Sequence, residues 1–201
     1  MLVEELRPIL ERDVVAASSA LLGWDIVCGD LRARIVETEA YRHDDPACHA
    51  YGKSKMKNMA LYAEPGRAYI YFAYGNHWML NVVCHREGDA AAVLIRAARP
   101  LSGLGEMFAR RPKAQREEDL LSGPGKLAAG LGITREHNML DLLDPASPLH
   151  MEPGEPVDEV LTGPRIGIAI GKAHDLPWRF IDRSAQRWAS KPWIKVDAKH
   201  L

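Results

Sequence analysis

Residues 65–99 read PGRAYIYFAYGNHWMLNVVCHREGDAAAVLIRAAR, and this stretch decides the fold class. Three β-rich runs, 68–72, 79–84 and 91–99, follow a Pro65-Gly66 turn. Tyr74-Gly75-Asn76-His77 and Glu87-Gly88-Asp89 separate them, and both separators have the composition of turns. Connections this short join antiparallel neighbours, because a parallel crossover needs about a dozen residues or more.

Outward from that meander the signals are mixed helix and strand. Upstream, Asp13 is placed to cap a helix over 14–22 that Gly23 ends. Two alternating runs, 24–28 and 31–38, are joined by Gly29-Asp30 as a hairpin. Residues 40–65 are polar and irregular, with Asp44-Asp45-Pro46 as a breaker and Lys53, Lys55 and Lys57 at alternate positions. Downstream lie a basic segment, Arg110-Arg111-Pro112-Lys113, and Ser122-Gly123-Pro124-Gly125-Lys126, which opens a short helix ending near Gly132. The last third reads as one further strand over 165–170 and a tail holding Trp178, Trp188 and Trp193, expected to pack on the core. No repeat or linker interrupts the chain, so one α+β domain over 1–201 is expected.

Composition narrows the function classes. The 201 residues are 47% hydrophobic and 26% charged, the balance of a soluble globular protein. The formal net charge is −1, so any nucleic-acid surface has to be a local basic patch. Cys28, Cys48 and Cys84 are scattered and form no CxxC, which argues against a cysteine zinc site or a thioredoxin-like pair and suits a reducing cytoplasm. The opening MLVEELRPILERD reads as neither signal peptide nor membrane anchor, and no run of about 20 apolar residues follows.

Several residues have chemical potential. On an extended 31–39 segment, Glu37 and Glu39 share a face. A carboxylate there could stabilise an oxocarbenium-like sugar and activate water, or one or both could be solvated or salt-bridged to nearby Arg32 or Arg34. Tyr69 and Tyr71 share a strand face and Tyr74 follows at the turn, as core packing or as a stacking platform for a base. Tyr41 and His49 could complete such a slot. The Gly123-Pro124-Gly125-Lys126 turn offers backbone N–H groups and a lysine to a phosphate. It is not a P-loop, since Leu127 stands where Ser or Thr would hold magnesium. No metal site and no cofactor are expected.

In combination these stretches resemble the alkyladenine (3-methyladenine) DNA glycosylase family. The matching blocks are IVETEAY at 35–41, Ala47-Cys48-His49, 65–83, AVLIRAARPL at 92–101, LLSGPGKLAAGLGI at 120–133, PRIGI at 164–168 and PWRF at 177–180. They occur in family order across most of the chain. The resemblance implies a curved, mostly antiparallel sheet flanked by helices, a fold type shared with the C-terminal domain of methionyl-tRNA formyltransferases. It implies hydrolysis of the N-glycosidic bond of a flipped, damaged purine, with no lyase activity.

Carried onto this sequence, Glu39 is the implied general base and Arg96 its neighbour in the catalytic site. Tyr41, His49, Tyr71 and Asn81 form the implied base pocket, and Tyr74 intercalates into the duplex. Lys53, Lys57 and Lys126 are implied backbone contacts. The expected partner is double-stranded DNA containing damaged purines, with no membrane association, a monomeric state, and a place in the cytoplasm or nucleoid (the nucleus in a eukaryote). Two departures stand out: Lys57-Asn58 where Arg-Asn is usual, and Asn76 where methionine is usual. They bear on duplex affinity more than on chemistry, because lysine lacks arginine's bidentate grip. A non-catalytic nucleic-acid-binding module of the same fold is the alternative. Glu39 separates the two, since a carboxylate beside the slot would only repel phosphate in a binder.

Overall fold

The computed structural model describes residues 1–52 and 59–194. Its centre is one antiparallel sheet, in which β1 (Asp25–Cys28), β2 (Leu31–Arg42), β3 (Ala68–Ala73), β4 (His77–Val83), β5 (Ala91–Ser102) and β6 (Leu149–Glu152) take the order β3-β4-β5-β2-β1-β6. The long β2 is the spine. One edge pairs with β5; the other is shared by β1 along its first half and by β8 (Arg179–Asp182) at Glu37–Glu39. β7 (Val160–Gly163) extends the branch by pairing with β8.

Helices cover one face. α1 (Val3–Arg12) and α2 (Val14–Ala20) bring Leu6, Leu10, Val14 and Ala17 to the main core. Asp13 caps α2 by accepting from the N–H groups of Val15 and Ala16. α3 (Leu104–Arg110), α4 (Glu117–Leu120) and α5 (Pro124–Leu131) add Met107, Leu120, Leu127 and Leu131. The other sheet face carries a second apolar cluster around Cys48, Leu61, Tyr69 and Ala92.

A phase slip sorts residues between these faces. On β2, Leu31, Ala33 and Ile35 enter the main core, and further along Ala40 does so. Thr38 also turns that way, donating its hydroxyl to the Ser18 carbonyl at 2.7 Å. On β5 the core positions are Ala91, Val93 and Ile95, then Ala98. The register is irregular between Ile35 and Thr38, where odd positions give way to even. Val36-Glu37 and Arg96-Ala97 therefore sit as consecutive pairs on the opposite face, with Val36 and Ala97 packed on Ala185 and Trp188. Unbroken alternation from Leu31 would have driven Glu37 and Glu39 into the apolar core.

Most expected elements are found, with shifted ends. The second helix stops at Ala20, β4 begins at His77, and β2 runs on to Arg42, which puts Tyr41 on a strand. One expectation fails: 165–170 is not a strand. The Arg165 side chain is turned into the protein against Asp45 and the Ala40 carbonyl, and Gly167 and Gly171 take φ of +77° and +85°, which an extended chain does not allow. The strand position is filled by β8 instead. Of the tail tryptophans, Trp188 is buried, Trp178 packs partly against the core and Trp193 remains exposed. No helix among the described residues is long and apolar enough to cross a membrane.

Candidate active site

A cavity of about 470 Å³ opens on the sheet face away from the main core. Strands β2 to β5 supply its floor through Tyr41, Tyr69, Tyr71, Met79, Asn81, Leu94 and Arg96. The loop at 46–49 and the segment 166–172 form its sides.

Behind the lining residues Tyr41, Arg96 and Ile166, Glu39 is fully buried and held by three donors. Its Oε1 accepts from the backbone N–H of Ile166 at 2.7 Å. Its Oε2 accepts from the Tyr41 hydroxyl at 2.8 Å and from Arg96 Nη1 at 3.1 Å. Burial pushes the Glu39 carboxyl above the usual carboxylate range, against the opposing pull of Arg96, Ile166 and Tyr41. The result is a carboxylate with a fixed orientation and enhanced basicity.

Glu37 has a different environment. It accepts from Arg179 Nε at 2.6 Å, from the Ser190 N–H at 2.7 Å and from the Ser190 hydroxyl, and lies 3.4 Å from Arg96 Nε. Arg96 is thus clamped between two carboxylates. Burial disfavours its charged form, and Glu39 and Glu37 more than restore it. As the alternative to a catalytic role, the sequence reading left one or both glutamates solvated or salt-bridged to Arg32 or Arg34. Those arginines instead meet Asp25, with Glu152 and Glu155 beyond it, because β1 is their neighbour along the first half of β2, whereas Glu37 lies where β8 takes over that edge.

The walls are aromatic. His49 meets Tyr71 edge-on at 4.3 Å between ring centroids, and its Nδ1 lies 3.0 Å from the Tyr69 hydroxyl. Burial raises the phenol of Tyr71 to about 12 and pushes those of Tyr69 and Tyr41 well above the ordinary phenol value, so all three rings stay neutral. Tyr41 is backed by the Arg165 guanidinium, 4.6 Å from its ring centroid. Arg165 is in turn fixed by the buried Asp45 carboxylate and the Ala40 carbonyl. On the floor, Asn81 Nδ2 donates to the carbonyls of Tyr69 and Met79 at 3.1 and 3.4 Å. Two carbonyl neighbours require the amide nitrogen on that side.

Tyr74 lines the mouth. It occupies a turn with φ of +53° at Tyr74 and +72° at Gly75, closed by Asn76 N–H donating to the Ala73 carbonyl at 3.2 Å. Its side chain is 87% exposed. Pro124 of the Gly-Pro-Gly-Lys turn reaches the cavity rim, while Lys126 is exposed and bonded to the Ser122 hydroxyl at 3.3 Å. Gly125 serves packing: a Cβ there would come within 2.7 Å of the His77 ring. Lys53 and Lys57 lie outside the described residues.

The chain brings Glu39, Arg96, Tyr41, His49, Tyr71, Asn81 and Tyr74 together as the sequence reading grouped them. That reading missed the Ile166 N–H, Ser190, Arg179 and the Arg165–Asp45 pair. Arg165, Ile166 and Arg179 lie inside the PRIGI and PWRF blocks, which marked them without giving their roles, and Ser190 has no such mark: it stands 153 residues from its partner Glu37.

A family model described as methylpurine-DNA glycosylase (MPG) matches residues 8–186. A relative from Rhodopseudomonas palustris strain HaA2 is 45% identical over 187 residues, covering 93% of this chain and 90% of its own. One from Nitrosospira multiformis is 45% identical over 183 residues, covering 91% and 92%. One from the archaeon Methanocella arvoryzae is 38% identical over 185 residues, covering 89% and 92%. All three bear the name "Putative 3-methyladenine DNA glycosylase".

Proposed function

Since the chain belongs to the methylpurine-DNA glycosylase family, we propose that it is a base-excision-repair glycosylase that extrudes a damaged purine from duplex DNA and hydrolyses its N-glycosidic bond. The observation that carries this reading is a fully buried carboxylate, fixed by Tyr41, Arg96 and the Ile166 N–H, which themselves line an aromatic cavity. Glu39 takes a proton from water as it attacks C1′ of the deoxyribose. Arg96 steadies the carboxylate, and the oxocarbenium-like sugar develops its positive charge beside it. Tyr41, His49 and Tyr71 enclose the base. Alkylated purines carry positive charge, which weakens the glycosidic bond and favours neutral aromatic faces. Asn81, anchored on the cavity floor through its amide nitrogen, crowds the position of an exocyclic group of the base and so discriminates among purines. Tyr74 fills the gap left in the duplex. Free base and an abasic site are the products, without a covalent intermediate, and the enzyme acts as a monomer on one lesion at a time.

A panel of duplex oligonucleotides carrying 3-methyladenine, 7-methylguanine, hypoxanthine or ethenoadenine tests the reading. Release of at least one base is expected, and it should persist in chelator. If metal had to be restored for activity, Glu39 alone would not be the water activator. Release of no base from any duplex would leave a nucleic-acid-binding module instead.

The pH profile has a defined sign. Glu39 works only when ionised, and burial holds its pKa up. Single-turnover release is therefore expected to fall as pH drops through a value above the ordinary carboxylate range, measured with binding saturated. Release that stays flat through the whole carboxylate range, with no acid limb, would remove Glu39 from the base role.

A further inference from the structure

Two apolar side chains stand exposed on separate elements at the cavity rim. One is Tyr74. The other is Ile170, which is 90% exposed, more than any other large hydrophobic residue among those described. Solitary exposed apolar residues are ordinary on protein surfaces, so exposure alone carries nothing. Position and anchoring distinguish this one.

Ile170 is the second residue of a tight turn in which the Lys172 N–H donates to the Ala169 carbonyl at 3.0 Å. Gly171, third in the turn, has φ of +85°, the geometry of a type II turn. Such a turn projects its second side chain away from the body. Ala169 and Lys172, which flank the tip, both line the cavity, as do Ile166, Gly167 and Ile168. The segment's root is tied down at several points. Ile166 N–H bonds Glu39, Arg165 bonds the Ala40 and Ala173 carbonyls, and the Gly171 N–H donates to His174 Nδ1 at 3.2 Å. An apolar tip is thereby held in fixed register with the Glu39 carboxylate, next to a lysine.

We infer that Ile170 is a second wedge, pressing into a base step of the duplex beside the site that Tyr74 fills, with Lys172 meeting the adjoining phosphate. The inference rests on the glycosylase reading. The two tips suit different tasks. A planar phenol replaces the stacking surface of an extruded base, whereas a branched aliphatic side chain unstacks a step and kinks the helix. A kink at a fixed distance from the pocket lowers the work of extrusion and slows the return of the base. The lysine adds charge without sequence preference.

The experiment compares native protein, Ile170→Ala, Ile170→Leu and Tyr74→Ala on one lesion, presented in a paired duplex and in the same strand alone. The readout is the ratio of single-turnover release from duplex to release from single strand. Ile170→Ala is expected to lower this ratio about tenfold, the scale of a partly lost unstacking contact, and Ile170→Leu to restore it. Ile170 is fully solvated, so folding does not confound the result. If Tyr74→Ala lowers the ratio and Ile170→Ala leaves it at the native value, the second wedge is overturned while the glycosylase reading stands. Equal slowing of both substrates by Ile170→Ala would also overturn it, by pointing to a pocket effect. Failure of the native protein to release any base would strike the glycosylase reading itself, a separately visible outcome.

Discussion

Glu39→Gln is expected to lose base release by a factor of about 10² to 10⁴, the range that a positioned general base contributes. Binding to a duplex carrying an abasic-site analogue should survive, because the aromatic walls and the rim are untouched. The glutamine is isosteric and can still accept from the Ile166 N–H, so the loss should appear in the rate of the chemical step. The same substitution should leave the fold at least as stable at neutral pH. Folded Glu39 holds its proton more tightly than the unfolded residue, because burial outweighs its three donors. Its contribution to stability is then fully present below the unfolded carboxylate's range and is lost as pH rises through the raised folded value. At neutral pH the native protein carries this ionised group at a cost that the neutral amide avoids. Activity and stability should separate: release nearly abolished, melting temperature no lower. Retention of most of the activity would end the general-base assignment.

That separation was partly legible in the sequence. The meander of 65–99 could be read because its turns are short and local, and its strands pair as their spacing requires. The site residues could be grouped because their blocks follow one family order, each with a side chain whose chemistry is recognisable alone. What escaped reading depends on the third dimension. The slip at Val36-Glu37 and Arg96-Ala97 is a property of two strands together, and neither sequence announces it. Residues 165–170 alternate apolar and small side chains like a strand, yet their use is to bend over the cavity and offer a backbone N–H to Glu39. A backbone donor has no residue identity to detect. Arg32 and Arg34 were the nearest cations in sequence to Glu37, but β1 places Asp25 beside them, whereas Glu37 lies further along β2 where β8 is the neighbour and supplies Arg179.

Glu37 provides the complementary case, a carboxylate whose removal should cost stability first. It is fully buried and shared among Arg179, Arg96 and Ser190. In Glu37→Ala, Arg179 keeps the carbonyls of Ser190 and Pro192 but loses its only anion among the described residues. Breaking a buried pair from one side costs about 3–5 kcal/mol, because the remaining charge stays desolvated. In a chain of this size each kcal/mol moves the melting temperature by about 2–4 °C, so a fall of roughly 6–20 °C is expected by thermal denaturation. Glu37→Gln separates this effect from chemistry. It keeps an acceptor for the Ser190 N–H but withdraws the charge that competes with Glu39 for Arg96. The field of Arg96 then falls on Glu39 alone, and Glu37 no longer raises its pKa. The acid limb of release should therefore move to lower pH, while the chemical step slows as Glu39 becomes a weaker base. A purely structural Glu37 would lower the melting temperature and leave the limb in place. A Glu37→Ala protein that melts with the native chain would instead show that Arg179 and Ser190 hold the tail without it.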